Sequence, residues 1–235
     1  MSARELGVAG VVPVVDNGSF VERFGIAVLS EGFTAGELDI FRTAVDDLIA
    51  TLHQTEPFAS NWNCLSLTRI ETVNGVSGLA PGRQTAASCF GAEAGTAPRT
   101  LRLDWDSVEQ LTSRYEPDWT AIVVLVNDTS ERGCTYHRVA VTTLQSDWLS
   151  VVVHELGHAG FRLEDEYDYG GGSRYRGPEP GAPNVTRCIE QDGLKWARLV
   201  DLGTPIPTQL NPDCGRPDTN PSSTPAGTVG TFEGA

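Results

Sequence analysis

The chain has 235 residues, 40% of them hydrophobic, and a formal net charge of −14. That length supplies one sizeable core, or a core with a smaller lobe. The acidic balance repels phosphate backbones and excludes nucleic acid as the expected partner, and no apolar run nears the roughly 20 residues of a membrane-crossing helix.

The first residues, MSARELGVAGVVPVVDNGSF, lack a charged segment followed by a long apolar run and a small-residue cleavage site. No secretory signal is expected, and the chain as written reads as cytoplasmic. Residues 24–30, FGIAVLS, form a short apolar run ending in a turn signal and predict a strand. Thr34-Ala35-Gly36-Glu37 is a capping-box pattern, and Leu38, Phe41, Val45, Leu48 and Leu52 recur behind it at helical spacing. An amphipathic helix over 35–54 is therefore predicted. CLSLTRIETV, 64–73, suits a strand, and 106–116 suits a short helix. TAIVVLVND, 120–128, is a continuous apolar run of the kind buried on both faces of a central strand.

RVAVTT, 138–143, alternates and reads as an edge strand. Ser146 or Asp147 then caps a helix that turns Leu149, Val152, Val153 and Leu156 inward. From residue 170 the composition shifts to Gly, Pro, Asn and Ser, with one short helical piece near GLKWARLV, 193–200. These patterns predict a compact lobe over 1–169 and an irregular lobe over 170–235. Cys64, Cys89, Cys134, Cys188 and Cys214 contain no CxxC pair, and their odd number leaves at least one unpaired.

The chemistry concentrates in VVVHELGHAGFRLEDEYDYG, 151–170. On a helix, positions i and i+4 lie about 40° apart and roughly 6 Å along the axis. His154 and His158 can thus aim two imidazoles at one ion, which suits Zn²⁺. Glu155 lies about 100° further round, beside that ion, where a base can take a proton from water. A solvated surface helix is the bland alternative; the apolar capped helix before the motif and the acidic cluster after it argue against that.

The third ligand needs a turn. On a continuing helix Asp165 would lie about 10.5 Å beyond His158, out of reach of the same ion. The chain must leave the helix, and Gly160 is the natural place for the left-handed cap. Past such a turn Glu164, Asp165 and Glu166 are all candidates by distance. A Ca²⁺ site over 164–168 is a weaker reading of the same acids.

The sequence resembles the IgA-peptidase-like family of zinc metallopeptidases, members of the HExxH zincin group. The likeness extends to SEGFTAGELDIF (30–41), EPF (56–58), VVLVND (123–128), HELGHAGFRLEDEYD (154–168), PNVT (183–186), KWARLVDLGTPIPT (195–208) and VGTFEGA (229–235). The resemblance implies an α+β, zincin-like fold, with a mixed twisted sheet over the active-site helix and an irregular C-terminal lobe. It implies a zinc endopeptidase acting on a protein or peptide, with His154 and His158 as ligands, Glu155 as base and Asp165 as third ligand. An edge strand, here 138–143, would line the cleft and pair with extended substrate.

Two departures stand out. Metzincin-like enzymes place a glycine three residues after the second histidine and the ligand six after it; here Phe161 holds the glycine position and Asp165 is one residue late, which keeps Glu166 and Glu164 as alternatives. The family pattern also continues past Phe-Glu-Gly-Ala into a Tyr, Arg-Pro and Cys-x-Met stretch that is not in this sequence, whose one methionine is Met1. The rival reading is an inactive, metal-stabilised binding protein on the same fold. Family likeness implies secretion, in tension with the signal-less N-terminus.

Overall fold

A computed structural model describes residues 7–80, 88–165, 175, 177–210, 225 and 227–232. The chain divides into two compact units, Met1–Phe161 and Arg162–Ala235. Regular structure in the first unit comprises β1 (Val8–Val15), β2 (Phe24–Glu31), α1 (Leu38–Leu52), β3 (Leu65–Thr72), β4 (Glu93–Ala94), β5 (Leu101–Arg102), α2 (Trp105–Tyr115), β6 (Ala121–Val126), β7 (Gly133–Tyr136), β8 (Val139–Thr143) and α3 (Trp148–Phe161).

Six strands form one mixed sheet in the order β1-β3-β2-β6-β8-β7. The four inner strands run parallel, and β1 and β7 close the two ends antiparallel. Side-chain alternation divides the core into two layers. Ile26 and Val28 of β2 with Val123 and Leu125 of β6 face Phe41, Val45 and Leu48 of α1 and Val152 and Leu156 of α3. Ala27 and Leu29 with Ile122 and Val124 face Val108 and Leu111 of α2. Every residue of β6 is buried, because a central strand between helices meets apolar atoms on both sides. This is the mixed α+β architecture expected from the sequence.

Three boundaries differ from expectation. The segment after Thr34 opens as a 3-10 turn, Ala35–Glu37, before α1 begins. The Glu37 carboxylate accepts from the Thr34 amide at 2.9 Å and from its hydroxyl at 2.7 Å. Those bonds, with one from Ser77, hold Glu37 down at about 2. β1 was not anticipated: its Pro13 is tolerated at a sheet end, where no outer strand needs the missing N–H.

The third difference bears on the site. β8 is not the edge strand; it lies between β6 and β7, with all five residues buried. Its alternation suggested one wet face, yet the Thr142 hydroxyl donates to the Arg132 carbonyl at 3.1 Å, and the Thr143 hydroxyl to that of Ser130. Satisfied hydroxyls can be buried as readily as methyls. The edge belongs to β7, which returns through the two residues His137 and Arg138, with His137 left-handed (φ 53°).

In the second unit the described residues hold two 3-10 turns, Gln191–Gly193 and Ala197–Leu199, and one bridge, Gln209 to Phe232. The single lysine is at its centre. Lys195 Nζ donates to the carbonyls of Ala182 and Val185 at 2.6 and 2.7 Å and also to that of Pro180. An ammonium has three protons, so one side chain gathers three turns of a loop that has few apolar residues to bury. Among the described residues, no helix is long and apolar enough to cross a membrane, and Cys64, Cys89, Cys134 and Cys188 are free thiols.

Candidate metal centre

Helix α3 forms because its inward stripe is apolar: Val152, Leu156 and Ala159 are buried against the sheet. His154 and His158 lie on the opposite, wetter side. Their rings are nearly perpendicular at 89°, and the two Nε2 atoms stand 3.0 Å apart. Two imidazole lone pairs repel at that distance unless a proton or a cation sits between them. Two nitrogens at about 2.0–2.1 Å from one tetrahedral Zn²⁺ would be about 3.4 Å apart, so small ring adjustments suffice.

Glu155 takes the third direction. It is only 8% exposed and points toward β7, where the Thr135 hydroxyl donates to Oε2 at 2.6 Å. Gly133, two residues earlier on the same strand face, makes room for Val151 and so lets α3 lie this close to β7. A Cβ there would stand 2.3 Å from Val151 Cγ1 and 3.7 Å from Glu155 Oε1.

The helix ends at Phe161, and Arg162 takes the left-handed conformation (φ 58°). Gly160, where the sequence suggested the turn, instead remains helical. Its bare Cα lets Phe24 approach, since a Cβ would meet the ring at 2.5 Å. Phe24 stacks on Phe161, with centroids 5.0 Å apart. A non-glycine left-handed residue costs roughly 1–2 kcal/mol. The contact with Phe24 explains why the glycine stands at 160 rather than at the turn. Asp165 follows the left-handed residue by three positions, the same interval that separates glycine from ligand in the metzincin pattern. The helix is one residue longer, and the acid is one residue later.

Among the described residues, one group of potential metal ligands comes together: His154, His158 and Asp165 each offer one atom, and these atoms lie within 4.8 Å of one another. Two imidazoles and a carboxylate are a donor set that suits Zn²⁺. Glu164 is exposed, and Glu166, Tyr167 and Tyr169 lie outside the described residues, as does part of the 164–168 acidic run. Asn184 holds the segment before Asp165. Its side-chain oxygen accepts from the Glu164 amide at 3.0 Å, and its nitrogen donates to the Glu164 carbonyl at 2.9 Å.

Thr135, Gly133 and Asn184 escaped the sequence reading. GCTY is too short to show a period; only the Asn of PNVT was visible, as part of a resemblance. Tyr136 stacks on Trp105 on the far face of β7, and Tyr115 ends α2. Burial pushes the Cys134 thiol up, with Glu155 adding to the shift, and burial raises Cys89 to about 11. Neither is the ready thiolate that a nucleophile requires.

A profile of the IgA peptidase M64 family matches residues 12–215. The chain belongs to the IgA peptidase M64 family. The match runs from within β1 to beyond Lys195 and includes the whole histidine helix. Membership makes this M64 protein a peptidase, a hydrolase whose substrates are proteins or peptides. Comparison with curated proteins finds none that matches.

Proposed function

We propose that this M64 protein is a zinc-dependent endopeptidase in which His154, His158 and Asp165 hold the ion and Glu155 is the general base. The observation that carries the reading is the pairing on one helix of two facing imidazole nitrogens, 3.0 Å apart, with a buried carboxylate held beside them. Zn²⁺, when bound, supplies Lewis acidity toward water and carbonyl oxygen. Glu155 accepts a proton from the water attacking the scissile carbon and delivers it to the leaving amine as the C–N bond breaks. Extended substrate would pair along β7, the sheet edge nearest Glu155, rather than along β8 as the resemblance implied.

The test compares purified protein with Glu155→Gln on a mixed peptide library, with zinc counted in both. One zinc per chain in each is expected, with cleavage by the variant lower by about 10²–10⁴-fold or more. Equal cleavage by both would sink the proposal. One zinc per chain with no cleavage by either would instead support a metal-stabilised binding protein.

A further inference from the structure

Strand β7 has two faces with different duties. Cys134 and Tyr136 point away from α3: the thiol bonds the Leu101 backbone at 3.3 and 3.4 Å, and the tyrosine stacks on Trp105 at 5.1 Å. Gly133 and Thr135 therefore share the face toward α3. Gly133 removes bulk, and Thr135 supplies a hydroxyl 2.6 Å from Glu155 Oε2. The same hydroxyl is 3.0 Å from the Glu155 carbonyl. It has one proton, and the shorter, charge-assisted contact with the carboxylate is the stronger.

We infer that Thr135 is a positioning residue for the Glu155 base. Its hydroxyl holds Oε2 and fixes the plane of the carboxylate that takes the proton from the attacking water. A glutamate has three side-chain torsions, and an unrestrained one spends much of its time misaligned. A one-ångström misplacement of a reacting group is enough to cost about a hundredfold in rate. This inference rests on the proposed peptidase reading and adds to it the residue that aims its base.

The experiment uses the zinc-loaded protein with Thr135→Val, which keeps the shape and removes the donor, and Thr135→Ser, which keeps the donor. For Thr135→Val, kcat is expected to fall about 10- to 100-fold, the range of a lost hydrogen bond to a charged group, with KM and zinc affinity within about twofold. Thr135→Ser should restore kcat to within a few-fold. An infrared difference spectrum against Glu155→Gln isolates the Glu155 carboxylate stretch without any turnover. That band should shift in the valine variant and stay in place in the serine variant.

The inference is overturned if Thr135→Val leaves both kcat and the band unmoved. It is equally overturned if valine and serine variants lose zinc affinity and Tm alike, because a structural role alone would do that. Failure of the peptidase reading looks different: the unaltered protein itself would cleave nothing, whatever the infrared band shows.

Discussion

Glu155 and His154 are neighbours in the chain and opposites in exposure, one buried toward β7 and the other open to solvent. A turn of 100° per residue accounts for that difference. It lets one helix present two imidazoles on one side while a carboxylate is kept in a drier place, where a hydrogen bond counts for more. The approach to Asp165 is controlled by a residue nineteen positions away. Asn184 binds both backbone groups of Glu164, and the adjacent residue inherits that constraint. Asn184→Ala is therefore expected to weaken zinc binding by about tenfold, the lower end of what supporting residues contribute. Competition with a zinc chelator measures it, and unchanged affinity would show that the Glu164 clamp is dispensable to the metal.

At the scale of elements, α3 is fixed at its end by aromatic packing. Phe24 lies against Gly160 and stacks on Phe161, while Phe58 lies 5.8 Å from the Phe161 ring. Gly160→Ala gains about 1 kcal/mol of helix propensity but forces a methyl to 2.5 Å from Phe24 Cζ. Overpacking of this kind costs about 1–3 kcal/mol, and Phe24 cannot swing clear without leaving its stack. A net loss of about 1 kcal/mol is expected in urea unfolding. A stabilised variant would mean that the ring moves freely. At the other end of the sheet, Thr34→Ala should cost about 1 kcal/mol by the same measurement, since it removes the hydroxyl bound to Glu37.

Across the first unit a buried acid ties distant segments together. Glu31, at the end of β2, accepts from Phe90 N at 3.1 Å and Ala92 N at 3.0 Å, and also from the Ser88 hydroxyl. It joins the sheet to the segment that covers α2's face. Burial nevertheless holds its carboxyl above the ordinary value of 4.5. Between 4.5 and that raised value the folded chain keeps a proton that the unfolded chain has released. The stabilising contribution is complete below 4.5 and is lost as pH rises through the folded pKa. The Tm of the protein minus that of Glu31→Gln should thus fall as pH is raised above 4.5. A difference that stays flat with pH would remove Glu31 from the account.

Local pattern by itself determined the histidine helix, the central strands β2, β3 and β6, the helices α1 and α2, and the need for a turn before Asp165. Each rests on periodicity, helical rise or a capping pattern, which act over a few residues. Tertiary structure alone decided the rest. β8 lies inside because β7 folds back over it and its threonines find carbonyl partners, which no alternation can reveal. The turn falls at Arg162 because Phe24, more than 130 residues earlier, claims the space beside Gly160. Thr135 meets Glu155 because β7 and α3 lie on one end of the sheet. The helix specifies which groups can do the chemistry, and contacts distant in sequence fix where those groups point.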